Sequence, residues 1–217
     1  RAAHRPVTGP GEHERRGPTP GHLLVGLLLA ALGVYTVALL WIEFATSQAH
    51  VRHYFSDVET SRPFFAINTT LSVSLLWGTA LAFAFAARSA MRRGAQPAFY
   101  VSQAALFWWL GFDDRFKVHE RIGFRLDVGD HYVLLAVGAA QAASLALLGG
   151  RRHLHGRAIG FLAAGVALSV AMLGLDALAP HDMRLRLSLE DLAKTWAAVA
   201  FFAFGWTYVE RELEARR

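Results

Sequence analysis

Long apolar runs without a charged side chain dominate the chain, and short polar segments separate them. Five of these runs have 18 to 25 residues and a sixth has 15. In chain order they are Leu23–Ile42, Pro63–Ala87, Gly94–Phe112, Tyr132–Gly150, Ala158–Leu175 and Thr195–Val209. A run of about 18 or more apolar residues is long enough to cross the hydrocarbon layer of a bilayer as a helix. The pattern therefore predicts an all-α fold, a polytopic transmembrane bundle of six helices.

We place the transmembrane domain at residues 22–210. Its predicted spans cover residues 22–42, 64–87, 95–113, 131–150, 158–176 and 189–209. The preceding residues 1–21 are rich in proline, glycine and arginine, a composition that cannot bury enough apolar surface to fold alone. We predict that this cytoplasmic tail contacts a partner chain in a membrane complex. Residues 211–217 are predicted to form a charged C-terminal tail.

Composition excludes several classes of protein. With 54% hydrophobic and 18% charged residues, the chain is neither a typical soluble α/β enzyme nor a disordered protein. The absence of cysteine excludes disulfides, thiolate metal sites and cysteine nucleophiles. A net charge of +5 suggests nucleic-acid binding in a soluble protein, but here the basic residues form short clusters between spans. We therefore predict the lipid bilayer as a partner and no nucleic acid.

The basic residues are divided unequally between the two sides of the predicted membrane. The side with both termini carries 13 of the 22 basic residues and five acids, and the other side carries nine basic residues and twelve acids. Cytoplasmic segments of membrane proteins have an excess of lysine and arginine. We therefore predict that both termini are cytoplasmic and that the protein lies in the bacterial cytoplasmic (inner) membrane.

Ionisable residues gather at the outer ends of the predicted spans, where they suggest a site for a metal or a small polar ligand. The candidate ligands are Asp113, Asp114, His119, Glu120, Glu190 and Asp191. The candidate ion-pair and supporting residues are Lys194, Glu43, Asp176 and His181. Ionisable residues within membrane spans are rare and usually functional, and for that reason this acidic cluster is the main functional lead.

The sixth span brings some of these charges into the bilayer. Its 15 uncharged residues cover about 22 Å, less than the hydrocarbon thickness of about 30 Å. The turns that carry Glu190, Asp191 and Lys194 must then enter the membrane, where charged residues face the bundle interior. Glu190 and Lys194 are four residues apart and are predicted to pair on one helix. Ser188 is predicted to be the N-cap.

The segment that follows the third span is predicted to continue its helix. His119 would then share an apolar stripe with Phe112, Phe116 and Gly123. Carboxylates and an imidazole brought together in this way suit Zn²⁺, Mn²⁺ or non-haem iron. The alternative is an interhelical polar network in which His119 donates to an acid of the first or sixth span. The spacing matches no known di-iron or zinc-protease motif, so both interpretations stay open.

Two motifs resemble a pattern in uncharacterised bacterial multi-pass membrane proteins. These are Asp113-Asp114-x4-His119-Glu120 at the end of a span and Leu189-Glu190-Asp191 at the start of the last span. That family has no assigned activity, and the resemblance implies only that the two motifs form one site. A weaker similarity links the chain to alkaline-ceramidase-like membrane hydrolases, which gather acids and histidines around zinc. Their seventh span and late His-x3-His motif are absent from this chain.

Two functions are compatible with this sequence. The first is an accessory or structural subunit of a larger membrane protein complex, in which the acidic cluster stabilises the bundle. The second is a membrane-embedded metal-dependent enzyme, such as a hydrolase, in which a divalent metal ion activates water and a carboxylate acts as base. The sequence alone assigns no catalytic residue and no cofactor to the chain.

Overall fold

A computed structural model describes residues 20–56, 66–149, 154–180, 183 and 185–214. Within these ranges the chain is helical and contains no strand, so the predicted all-α class is confirmed. Nearly all of the predicted N-terminal tail, residues 1–19, lies outside the described residues, as does His181.

The described part of the chain forms eight helices. In chain order they are α1 (Pro20–Ala45), α2 (Gln48–Val51), α3 (Ile67–Arg92), α4 (Ala98–Phe116), α5 (Val118–Leu126), α6 (Asp130–Ser144), α7 (Gly156–Leu178) and α8 (Arg186–Glu214). A single π-helical turn follows α2 over Arg52–Ser56, and another extends α6 over Leu145–Gly149. Helix α8 continues through Glu214, into the segment that was predicted to be a charged tail.

Four helices in the described part of the chain are long and apolar enough to cross a membrane. The segments are Leu23–Ala45 of α1, Ile67–Arg92 of α3, Tyr132–Gly149 of α6 and its extension, and Gly156–Asp176 of α7. Helices α4 and α8, the predicted third and sixth spans, are not in this group. Both are long, but α4 ends in Asp113-Asp114-Arg115 and α8 carries charged residues near both ends.

Helices α3, α4 and α8 form the centre of the bundle. Helix α3 packs against both α4 and α8, while α6 lies outside α4, and α7 and α1 lie outside α8. Between the three central helices lies an aromatic core, in which the Phe83 ring is fully buried. Its centroid is 5.9 Å from that of Phe107, and 5.2 Å from those of Phe204 and Tyr208. This core fixes the three helices that carry most of the acidic cluster.

Two glycines let neighbouring helices approach α8 closely. A Cβ atom on Gly165 of α7 would lie 2.4 Å from the Phe201 ring, which is too close for two carbon atoms. A Cβ atom on Gly205 of α8 would lie 3.1 Å from the methyl group of Thr79 on α3. Small residues at helix contacts are typical of membrane bundles, where close packing drives association.

The described surface is strongly apolar, and polar side chains lie buried beside the apolar core. Helix α1 exposes large apolar side chains such as Leu27, Val37 and Trp41, while Asn68 and Gln103 are completely buried. An apolar exterior around polar interior residues suits a hydrocarbon solvent, in which polar groups must find partners inside the bundle. These features are those of a membrane protein.

Candidate functional site

The predicted acidic cluster lies where four helix ends meet. Hydrogen bonds join the C-terminal ends of α1 and α4 to the N-terminal turns of α3 and α8. The residues that take part are Glu43, Asn68, Ser72, Asp114, Ser188, Asp191 and Lys194, and next to Asp114 the pair of Asp113 and His119 joins α4 to α5; these nine residues are called the polar cluster. Six of these nine residues were predicted to belong to the site from sequence.

Asp114 connects α4 to two other helices. The Nζ atom of Lys194 on α8 lies 2.9 Å from its Oδ1 atom, and the hydroxyl of Ser72 on α3 donates to Oδ2. The side chains of Asp114 and Lys194 are 14% and 27% exposed, so most of this ion pair is shielded from solvent. The sequence predicted that Lys194 pairs with Glu190 on the same helix. The structure directs Lys194 across to α4, and Glu190 lies half-buried at the start of α8.

Asp191 belongs to a second chain of hydrogen bonds that reaches α1. Its Oδ2 atom accepts a bond of 3.1 Å from the amide of Asn68 on α3, and the Tyr35 hydroxyl of α1 donates to the amide oxygen of Asn68. A separate bond of 2.9 Å joins the Trp196 indole of α8 to the Thr36 hydroxyl. Helix α1, which buries only a narrow stripe, is thus held to α3 and α8 by these polar contacts and by an apolar cluster in which Leu39 packs with Leu192.

Glu43 is the most deeply buried acid of the polar cluster, with 1% of its surface exposed. Its Oε2 atom accepts a hydrogen bond from the Ser188 hydroxyl of α8. Its Oε1 atom is buried and has no hydrogen-bond partner in the described part of the chain. The predicted N-cap role of Ser188 is wrong, because α8 already begins at Arg186 and the serine hydroxyl is engaged by Glu43.

The predicted continuation of α4 through His119 is interrupted. Lys117 adopts a left-handed backbone conformation, with φ of 51°, that ends α4 and starts α5. This conformation is unfavourable for lysine. Two contacts of Asp113 offset the cost of this backbone conformation. Its Oδ1 atom accepts the His119 backbone N–H at 2.7 Å, and its Oδ2 atom lies 2.8 Å from His119 Nδ1. His119 therefore pairs with an acid of its own segment, and its side chain does not extend an apolar stripe of α4.

Three other candidates lie apart from these contacts, and one is not described. Glu120 is exposed and pairs with Lys117 at 3.3 Å on the surface. Asp176 is 61% exposed and pairs with Arg186 at 3.0 Å, so it joins the end of α7 to the start of α8. Glu190 lies near Asp191 and Lys194 and acts on them electrostatically, but it does not share the hydrogen bonds given above for the described residues. His181, the remaining candidate, lies outside the described residues.

The described geometry favours pairwise contacts over a metal centre. No three histidine, aspartate or glutamate side chains within the described ranges come together in a way that could hold a metal ion. Asp113, Asp114 and Asp191 each have a partner of complementary chemistry, namely His119, Lys194 and Asn68. Buried polar groups that are fully paired stabilise one arrangement of a bundle.

A second polar contact at the opposite end of the bundle has no counterpart in the sequence prediction. Glu212 of α8 is buried, and its carboxylate accepts hydrogen bonds from the Ser89 hydroxyl at 2.7 Å and from both terminal nitrogens of Arg93. The hydrogen bond to Glu212 raises the pKa of the Arg93 guanidinium above its ordinary value. Helices α3 and α8 are thus joined by polar contacts at both ends of their shared interface.

An amide pair joins α4 to α6 within the apolar region. The side chains of Gln103 and Gln141 donate to each other at 3.2 and 2.7 Å, and Gln103 also donates to the Ser144 hydroxyl at 3.1 Å. Neutral polar pairs of this kind bind membrane helices without introducing a charge into the bilayer.

The sequence prediction missed the neutral members of the polar cluster, although a helical pattern contained the signal. Asn68, Ser72 and Thr79 fall on one face of α3, and Ser188, Asp191 and Thr195 fall on one face of α8. A polar stripe on an otherwise apolar helix indicates the face that is turned into a bundle.

Comparison with curated proteins and with solved structures gives no match. A family model does match residues 23–208, which include every described residue of the polar cluster. That family, like the one implied by the resemblance, carries no assigned function. The chain belongs to the family described as "Domain of unknown function (DUF8692)".

Proposed function

We propose that this chain is an accessory or structural subunit of a larger membrane protein complex in the bacterial cytoplasmic membrane. The polar cluster has a structural role in this proposal. Its ion pair and hydrogen bonds hold α1, α3, α4 and α8 in one arrangement, which positions the outer surface of the bundle for a partner. The pairing of Asp113, Asp114 and Asp191 within the chain supports this role, because each acid is already engaged.

The observation that carries the proposal is the outward face of α6. Between residues 136 and 143 every exposed position of this helix is alanine or glycine. These positions are Ala136, Gly138, Ala139, Ala140, Ala142 and Ala143. Small residues four apart are typical of surfaces against which another membrane helix packs. Helix α1 differs, because its exposed face is formed mainly by large side chains that suit lipid.

Six membrane-spanning helices are part of this proposal, with α4 and α8 packed against α3 at the centre. Helix α8 has 29 residues, which cover about 43 Å and exceed the thickness of the hydrocarbon layer. Its central residues are mostly buried by α3 and α7, and a helix that does not face lipid requires less apolar surface. An even number of spans places both termini on one side of the membrane, and the distribution of basic residues makes that side cytoplasmic. The N-terminal tail contacts the partner there.

We expect the complex to depend on the small-residue face of α6. The double substitution Ala139→Leu/Ala143→Leu adds bulk to this face without adding charge. Native mass spectrometry of the wild-type protein, gently extracted from the native membrane, should detect an assembly heavier than the 23.8 kDa chain. The α6 variant should be detected as the monomer. The matched control is Ala30→Leu/Ala38→Leu, which makes the same change on the exposed face of α1 and should retain the assembly. A wild-type chain that is only monomeric would contradict the proposal.

The metal-dependent enzyme remains the second candidate function, and one observation favours it. Asp113 holds Nδ1 of His119 at 2.8 Å, an arrangement that orients a histidine in many metal sites. Elemental analysis of the purified protein separates the two functions. We expect no stoichiometric zinc, manganese or iron. A metal present at one equivalent in the wild type and lost in His119→Ala would overturn the structural role and support the enzyme.

A further inference from the structure

Helix α5 lies at the boundary between the bundle and the membrane surface. It follows the break at Lys117 and ends at Asp127, whose backbone is also left-handed, with φ of 52°. Only a few residues then separate it from Tyr132, where the apolar segment of α6 begins. Helix α5 also packs against α6. Because it leads directly into a candidate membrane span, α5 must lie close to the level at which that span leaves the bilayer.

The outward side of α5 combines basic and large apolar residues. Phe124 is 90% exposed and Leu126 is 65% exposed, whereas Gly123 is buried against the protein. Arg121 and Arg125 are both exposed on the same side, one helical turn apart. Arginines beside uncovered aromatic and aliphatic side chains are typical of helices that lie in the interfacial layer of a membrane.

The charge of this surface is positive. Glu120 forms a surface ion pair with Lys117 at 3.3 Å, and the exposed C-cap Asp127 offsets one of the two arginine charges, so one positive charge remains in excess. Glu120, Arg121, Phe124 and Arg125 line an open hollow of about 350 Å³. The two arginines and the projecting Phe124 ring thus border the same open surface, and this combination suits an anionic group attached to an apolar chain.

We propose that α5 is an interfacial helix that binds anionic phospholipid, with Arg121 and Arg125 contacting the phosphate and Phe124 and Leu126 inserted among the acyl chains. A lipid fits better than an acidic protein surface, because the apolar side chains continue directly into Tyr132 and Leu135, the large exposed side chains at the start of α6, before the small-residue face begins. The proposal also gives a role to the basic residues that follow α4. The distribution of charge along the chain assigns these residues to the outer side of the membrane.

Lipid titration tests the charge requirement. The probes are phosphatidylglycerol and phosphatidylcholine, added to the detergent-solubilised full chain and measured by native mass spectrometry. Near an anionic surface each arginine contributes about fivefold in affinity. We expect Arg121→Gln/Arg125→Gln to weaken phosphatidylglycerol binding by a factor between about five and about 25. Phosphatidylcholine binding should not change. The control Arg88→Gln/Arg92→Gln, with equal charge loss at the far end of α3, should retain the preference.

A spin label tests the position of α5. Because the chain contains no cysteine, Leu126→Cys gives a single labelling site. In nanodiscs that contain phosphatidylglycerol, the label should be accessible to oxygen and protected from a water-soluble nickel relaxant, and the two arginine substitutions should reduce that protection. A label that is fully exposed to water, or a lipid preference that survives Arg121→Gln/Arg125→Gln, would overturn the proposal. Binding of an acidic protein by a water-exposed α5 would likewise overturn it.

Discussion

Replacing Lys194 by methionine is expected to destabilise the protein by about 3 kcal/mol or more, the cost of leaving a shielded charge without its partner. Lys194 is the cation that Asp114 contacts at 2.9 Å, and Asp191 and Glu190 also act electrostatically on it. Without the ammonium group, several acids face one another in a poorly solvated region. Equilibrium unfolding in mixed micelles, followed by circular dichroism, measures the change in free energy.

The surface pair on α5 supplies the control for this substitution. Lys117 pairs with Glu120 at 3.3 Å, but both side chains are nearly half exposed. Exposed ion pairs contribute less than about 1 kcal/mol because water and salt screen them. Lys117→Met should therefore cost much less than Lys194→Met. Equal effects of the two substitutions would show that the Asp114–Lys194 pair is not shielded.

Phe83→Ala is expected to cost about 3 kcal/mol through the cavity that it creates between α3, α4 and α8. The Phe83 ring is fully buried and contacts the rings of Phe107, Phe204 and Tyr208. In a bilayer these contacts stabilise the bundle through close packing, since lipid chains are as apolar as the side chains themselves. Equilibrium unfolding in mixed micelles, followed by circular dichroism, measures the decrease in the free energy of unfolding.

Leu81→Ala on the same helix is the matched control for Phe83→Ala. Leu81 is 71% exposed and faces outward, where lipid fills the space that a shortened side chain leaves. Its loss should change the free energy of unfolding by less than about 1 kcal/mol. If Leu81→Ala were as destabilising as Phe83→Ala, the aromatic core would not be the main packing contact of the central helices.

The apolar runs predicted the class of fold because a helix of sufficient length is the only way for such a run to cross a bilayer alone. The same runs predicted α4 and α8 as spans, but for these two helices the apolar pattern is weaker evidence of a membrane span. Charges such as Asp114 and Lys194 lie near the ends of these two helices and shorten their uncharged apolar stretch, and α8 is in addition mostly buried. Among the described helices, α1, α3, α6 and α7 contain the segments that are long and apolar enough to cross a membrane.

The sequence predicted some residues of the candidate site but not their partners. Charged residues at the outer ends of the spans identified Asp113, Asp114, Asp191 and Lys194. Their partners depend on how each helix is rotated about its axis, which a single sequence does not specify. The left-handed turn at Lys117 shows this clearly, because it redirects His119 back onto Asp113.

The central claim is that the acids of the polar cluster stabilise the bundle through specific interhelical pairs, and a double-mutant cycle on Asp114 and Lys194 tests it most directly. Asp114→Asn retains an acceptor for Ser72 but removes the charge that Lys194 contacts. We expect a coupling energy of at least about 1.5 kcal/mol between Asp114→Asn and Lys194→Met, so that the double variant is more stable than the sum of the single losses predicts. Additive losses, within about 0.5 kcal/mol, would contradict the claim.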